Sequence, residues 1–408
     1  MNFKSYDYDD FKLIEKIFTS SFKNIYKIQK IDSNDFLSAH RLKVNDESQL
    51  NANLIKLLNI MIRLRHPSII KFIGFSPTFF HKTDKPTIFT EFLPENKLIN
   101  FIEAEKNHFP HKSWNETNKL INLYGIASAI SYLHANNIVH LDITPYNIYI
   151  DSNFFPKVIN FSLSEFIKHD KKLTQFKGTP RYVAPEIWRN YDYSFASDTY
   201  SYGITIYEII SGETVYDNMN VAQILAKVAS NKRPEIDKKV PESYQRLIEK
   251  CWSDEPSKRP TFDQILEILT TDRGFITNKV NEKEFFDYVN LIKNSIPTKL
   301  FDKDIEFSFD EYLDQDKVFI KEDTKEEDEN AKNSFDTEKV QKESHQKVPE
   351  SKKVQHHKTE TKSDQNDAKL PETKSDKKDI ESIETDQNNA ESPDSNDKKG
   401  SSKCCLLL

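Results

Sequence analysis

His140-Leu141-Asp142-Ile143-Thr144-Pro145-Tyr146-Asn147, followed thirteen residues later by Asn160-Phe161-Ser162, brings one carboxylate and two side-chain amides into a short stretch of chain. A carboxylate such as Asp142 can accept a proton from a hydroxyl, and amide oxygens such as those of Asn147 and Asn160 can enter a cation's shell. The amides are weak metal ligands, because hard divalent cations prefer carboxylates. A second chemistry-bearing cluster is Lys403-Cys404-Cys405-Leu406-Leu407-Leu408. It fits C-a-a-X at Cys405, and the final leucine favours a geranylgeranyl group there. One lipid chain gives reversible attachment, so palmitoylation of Cys404 is the expected second anchor.

The elements that must position the first cluster are legible from periodicity. Leu13–Ile17, Ile25–Ile28, Phe36–Val44, Phe72–Phe75 and Thr87–Phe92 read as strands, being short and rich in β-branched and aromatic residues. Gln49–Leu64 has helical spacing and stops before His66-Pro67. Further helices are expected over Trp114–Ala135, Ser197–Ile210, Val221–Ala229, Tyr244–Trp252 and Phe262–Thr270.

The 408 residues include only Cys251, Cys404 and Cys405, which excludes a disulfide framework. Met1-Asn2-Phe3-Lys4 has no apolar signal core, Asn2 stands where myristoylation requires glycine, and no apolar run approaches the ~20 residues of a membrane span. A cytoplasmic protein is expected, held at a membrane's cytoplasmic face through its lipidated end. No nucleic-acid partner is expected. Residues 301–408 carry 19 Lys+Arg against 29 Asp+Glu, whereas residues 1–300 carry 39 against 36. The acidic segment has no aromatic residue after Phe335, so it cannot bury enough apolar surface to offset chain entropy and is expected to be disordered.

The octet resembles the H-R-D-L-K-P-x-N catalytic loop of protein kinases, and Asn160-Phe161-Ser162 resembles their D-F-G. Gly178-Thr-Pro-Arg-Tyr-Val-Ala184-Pro185-Glu186 is similar to the G-T-x-x-Y-x-A-P-E that closes an activation segment. Ser197-Asp198 to Gly203, and Cys251-Trp252 with Pro256, Arg259-Pro260 and Phe262, resemble later landmarks of the tyrosine-kinase-like group. The resemblance implies an α+β bilobal protein kinase fold over residues 11–270, with a β-rich small lobe at 11–92 and a mostly helical large lobe at 93–270. Residues 1–10 form an N-terminal extension, 271–300 a helical extension, 301–403 the charged tail and 404–408 the lipidation motif. It also implies a buried Glu186–Arg259 pair, a stacked spine of Met61, Phe72, His140 and Phe161 above Asp198, and a nucleotide pocket. Ile17, Ile25 and Ala39 would form the pocket's apolar walls, Thr90 the gatekeeper, and Glu91-Phe92-Leu93 the hinge.

The departures from that family bear on function. No glycine precedes Gly74, and Phe18, Ser20 and Lys23 occupy the three positions of the phosphate-covering G-x-G-x-x-G. Aligning Ser38-Ala39-His40-Arg41 with V-A-I-K places Arg41 where a lysine contacts phosphate, a poor exchange for a compact ammonium. Leu57 stands where the helix normally supplies that lysine's glutamate. Asn160 replaces the metal-holding Asp, Leu141 the Arg that reads an activation-loop phosphate at Thr174 or Thr179, and Thr144 the loop lysine. Tyr149 replaces a leucine beneath the adenine. It is expected to narrow the site, the alternative being a ring that swings aside and stacks on the base.

The resulting expectation is a tyrosine-kinase-like pseudokinase: a scaffold or allosteric regulator for signalling proteins, including an active kinase, tethered by its prenylated tail. ATP and Mg²⁺ would bind weakly or not at all. A rival reading keeps weak ATP-dependent serine/threonine kinase activity through Asp142 and Asn147. It rests on Lys23, since Ser21-Phe22-Lys23 resembles the relocated lysine of the with-no-lysine kinases; Lys23 is otherwise an ordinary hairpin lysine. A third reading makes the kinase fold a spacer in a membrane adaptor that works through its tail.

Overall fold

The early β-rich runs form a five-stranded antiparallel sheet ordered β1-β2-β3-β5-β4, from β1 (Phe11–Thr19), β2 (Lys23–Lys30), β3 (Phe36–Leu42), β4 (Phe72–Ser76) and β5 (Thr87–Glu91). The computed structural model of the chain describes residues 8–20, 23–43, 47–76, 86–94, 96–167 and 173–296. The acidic tail and both terminal cysteines lie outside the described residues. The sheet's outer face packs Phe11, Ile28, Leu37, Ala39 and Phe89 into a small core of its own. Its inner face turns toward the second lobe. Between β3 and β4 runs α1 (Glu47–Met61), which buries Leu54, Leu57, Leu58 and Met61.

The second lobe is helical around α3 (Glu116–Ala135), which is buried on nearly every side and therefore has no amphipathic stripe. Around it stand α2 (Leu98–Lys106), α4 (Pro185–Asn190), α5 (Phe195–Ser211), α6 (Val221–Ala229), α7 (Glu242–Cys251), α8 (Phe262–Thr271) and α9 (Glu282–Ser295). Asn220 with Gln223 and Thr261 with Gln264 make reciprocal capping boxes that start α6 and α8. Gly212, at φ 70°, ends α5 in the left-handed conformation that favours glycine. At Gly125 the missing side chain lets α3 close on Tyr288 and Pro156. The Tyr288 hydroxyl meets Ser68 Oγ at 2.8 Å, so the helical extension braces the segment that follows α1. The expected helices are all present; α2 and α4 were not anticipated.

Two short pairings carry the loops of interest: β6 (Ile138–Val139) with β9 (Glu165–Phe166), and β7 (Ile148–Ile150) with β8 (Pro156–Val158). The loop after β6 is anchored on buried Asp198. Its Oδ2 accepts from the His140 N–H and its Oδ1 from the Leu141 N–H, both at 2.8 Å. These bonds hold Leu141 at φ 66°, a conformation costing a non-glycine residue about 1–2 kcal/mol. His140 accepts the Asp142 N–H on Nδ1 and donates from Nε2 to the Ile159 carbonyl at 3.0 Å. Burial lowers the pKa of the ring, in keeping with that neutral tautomer. Phe161 meets the His140 ring edge-on at 5.2 Å, and Met61, Phe72 and Phe161 share the main core, as the expected spine requires.

Candidate functional site

A cavity of about 310 Å³ lies between the lobes. Ile17, Phe18 and Ser20 of the first hairpin, Lys23 and Ile25 of β2, and Leu57 and Met61 of α1 line one side. Thr90, Glu91 and Leu93 form its back, and Lys97, Asn147, Tyr149, Asn160 and Phe161 its floor. The structure thus brings together most of the residues singled out above. Tyr149 follows Asn147 by two along the chain and shares its face. Its ring lines the cavity, with Lys97 Nζ 6.0 Å from its centroid and 5.8 Å from that of the Phe18 ring.

Ala39 and Arg41 are corrections. Ser38 and His40 line the cavity, whereas Ala39 belongs to the outer core beside Phe89. The expected alignment of β3 was one residue out of step, and in a strand such a slip moves every side chain to the opposite face. His40, opposite Ile25 in the sheet, therefore occupies the place assigned to Arg41. Its Nε2 lies 3.0 Å from Thr90 Oγ1, whose own proton goes to the Glu91 carbonyl at 3.2 Å. Burial, with a smaller contribution from Lys23, pushes the His40 pKa down to about 3, so the ring is neutral at physiological pH.

Lys23 also differs from an ordinary hairpin lysine. β2 turns it inward beside Ile25, and burial together with the charge of Lys97 pushes its pKa down to about 8. Glu91 does not serve as its counter-ion. That carboxylate accepts from Lys157 Nζ at 3.2 Å and from the Lys71 N–H at 2.8 Å.

The catalytic-loop polar groups close on one another. Asp142 Oδ1 accepts from the Thr179 hydroxyl at 2.6 Å and the Thr179 N–H at 3.2 Å. Its Oδ2 accepts from Asn147 Nδ2 at 2.6 Å and, more weakly, from Asn160 Nδ2 at 3.4 Å. A carboxylate offers about four lone-pair positions, so this one has none left over. Asn160 Nδ2 also donates to Asn147 Oδ1 at 3.0 Å, and Asn160 Oδ1 accepts from Ser162 Oγ at 2.9 Å. The oxygens that a Mg²⁺ ion would need are thus satisfied by protein donors. Among the described residues no group of three or more His, Cys, Asp or Glu could hold a metal. The residues present do not fit the ion.

Leu57 stands buried at the cavity wall, as expected, and the neighbouring position carries the ionic tie instead. Lys56 Nζ meets Glu165 Oε1 at 2.8 Å, and Lys177 meets the same oxygen. Burial alone would raise the Glu165 carboxyl; the two lysines outweigh it and hold it below the usual range. α1 is therefore fastened to the segment after Phe161 rather than to a pocket lysine. Sequence reasoning missed His40, Lys97 and Thr179 as functional neighbours. For His40 the signal was present, since Leu37 and Ala39 are the apolar pair and Ser38 and His40 the polar pair of one alternating strand.

The sequence profile described as protein tyrosine and serine/threonine kinase matches residues 12–269. The dual specificity protein kinase pyk3 of Dictyostelium discoideum is 30% identical over 277 residues, covering 66% of this chain and 19% of that protein. The serine/threonine-protein kinase CTR1 of Arabidopsis thaliana is 30% identical over 276 residues, covering 64% of this chain and 31% of its own. Serine/threonine-protein kinase STY17 of the same plant is 28% identical over 233 residues, covering 56% and 39%. The chain spans less than half the length of these relatives.

Proposed function

Because the chain belongs to the protein tyrosine and serine/threonine kinase family, we propose that its kinase domain works in signalling as a pseudokinase, a scaffold or allosteric regulator rather than a phosphotransferase. The observation that carries this reading is the saturation of Asp142 by Thr179, Asn147 and Asn160. A general base must have a lone pair facing the hydroxyl it deprotonates, and phosphoryl transfer depends on groups positioned around a metal-bound polyphosphate. Here the Asp142 lone pairs are taken up by protein donors, and Leu57 and Asn160 stand at the cavity where the family resemblance would place acids, which supports the reading. The retained spine, the Asp198 clasp and the tie between α1 and Glu165 hold the two-lobed fold together, which a scaffold or allosteric regulator requires. Full-length protein is expected to show no Mg²⁺-dependent transfer of radiolabel to itself or to a generic protein substrate. Transfer that is lost in Asp142→Asn would overturn the proposal.

The inward placement of Lys23 favours a second reading, a weak kinase with a relocated lysine. If transfer occurs and Lys23→Ala also removes it, that reading replaces the first.

The membrane tether is part of the same proposal. Among the described residues no helix is long and apolar enough to cross a membrane. Cys405, in C-a-a-X context, is the expected prenyl acceptor, with Cys404 beside it. Fractionation should place the intact protein with membranes and Cys405→Ser with the soluble fraction, and intact mass should show the lipid. An unmodified Cys405 would remove the tether, leaving the reading of the kinase domain untouched.

A further inference from the structure

We infer that the cavity between the lobes holds the polyphosphate of a nucleoside triphosphate as a metal-free anion, clasped by the ammonium groups of Lys23 and Lys97. This rests on the reading above that the site does not operate through a metal, and it deepens that reading by naming the ligand.

The argument begins with charge. A metal-dependent site presents carboxylates that hold the cation, which in turn neutralises the phosphates. Here the two positions that would supply acid beside the phosphates carry Leu57 and Asn160, and both line the cavity. Asp142 is fully occupied by donors, and Glu91 is engaged by Lys157 and the Lys71 N–H. Meanwhile Lys23 and Lys97 face the same cavity, and their mutual repulsion adds to the cost of burying Lys23. Two cations facing one cavity whose acidic lining residue among the described residues, Glu91, is already engaged constitute an anion site whose charge is balanced when the anion arrives. His40 does not compete, being neutral and bonded to Thr90.

The remainder of the cavity indicates what carries the anion. Ile17, Ile25, Ile88 and Leu93 give the cavity an apolar lining beside Thr90, and about 310 Å³ lies at the small end of the range for bound small molecules. An apolar, planar base against that lining with an anionic chain extending toward Lys23 and Lys97 satisfies both halves. The lysines replace the neutralising metal, so Mg²⁺ competes with them for the phosphates and does not assist.

Full-length protein is titrated calorimetrically, with parallel thermal unfolding, against ATP in EDTA, ATP with excess Mg²⁺, adenosine, and tripolyphosphate. ATP in EDTA is expected to bind and raise the Tm, since a ligand selective for the folded state stabilises it. Excess Mg²⁺ should weaken that binding, and adenosine and tripolyphosphate should each bind less tightly than ATP. Lys23→Gln and Lys97→Gln should each weaken ATP roughly 10- to 100-fold, the loss of one charge-assisted contact, and by a larger factor than they weaken adenosine. Thermal unfolding of each variant without ligand reports that it folds. Absence of ATP binding, a requirement for Mg²⁺, glutamine variants that bind ATP like the native protein, or tripolyphosphate binding as tightly as ATP would each overturn the inference. Mg²⁺-dependent binding without phosphotransfer would overturn this inference alone, whereas Mg²⁺-dependent transfer would overturn the pseudokinase reading as well.

Discussion

Arg259→Met is expected to destabilise the folded domain by about 3–5 kcal/mol, the usual cost of removing one partner from a buried ion pair. The Arg259 side chain is fully buried, and its two terminal nitrogens bind Glu186 Oε1 and Oε2 at 2.7 and 2.8 Å. The same guanidinium donates to the Ser253 and Ala196 carbonyls, both at 2.9 Å, and lies 5.2 Å from the Tyr200 ring centroid. Methionine fills much of the volume but leaves a buried Glu186 without its cation and takes one donor from each of two carbonyls. The effect reaches beyond local packing. Glu186 starts α4 and Arg259 follows α7, so the pair joins the end of the activation segment to the base of the second lobe. The double variant Glu186→Gln/Arg259→Met should be less destabilised than the sum of its single changes, because the uncompensated charge is gone. Denaturant midpoints of the four proteins measure this directly, and a single-variant loss below about 1 kcal/mol would show the pair to be dispensable.

Lys23→Met is expected to act in the opposite direction and raise the stability of the ligand-free protein by about 3 kcal/mol at pH 7, given a pKa pushed down from 10.5 to about 8 and 1.36 kcal/mol for each unit. The sign follows from proton binding. Between pH 8 and 10.5 the unfolded chain holds the Lys23 proton more firmly than the folded one, so this group's contribution to stability rises with pH across that window. Below pH 8 the folded protein bears the full cost of the buried ammonium; above 10.5 both states are neutral and the cost is gone. The advantage of Lys23→Met should therefore be largest at neutral pH and shrink toward pH 10. Thermal unfolding of both proteins at pH 7 and pH 10 tests it, with about 2 °C expected per kcal/mol in a domain of this size. Equal stability at pH 7, or an advantage of constant size at both pH values, would show that Lys23 is not held in an unfavourable setting. A residue retained at such a cost is expected to recover it on ligand binding.

Local order and charge type make much of this protein readable from its sequence. Short β-rich runs and helical spacing located the strands and most helices, because those periods are imposed by the backbone itself. The exchanges at Asn160, Leu57 and Leu141 were plain from residue identity, and the Glu186–Arg259 pair followed from the resemblance of their two motifs. Other features arose only from the packed chain. Whether Ala39 or His40 faces the cavity turned on a single residue of register, which a strand's two-residue period converts into opposite faces. That Asp142 is saturated depended on Thr179, far along the chain, folding back to donate two hydrogen bonds. The Lys56–Glu165–Lys177 tie and the pairing of Lys97 with Lys23 join segments with no sequence relation to one another. Side-chain identity establishes which groups can titrate, donate or accept; their effective chemistry depends on the dielectric, the neighbouring charges and the occupied lone pairs, and those exist only once distant segments have packed together.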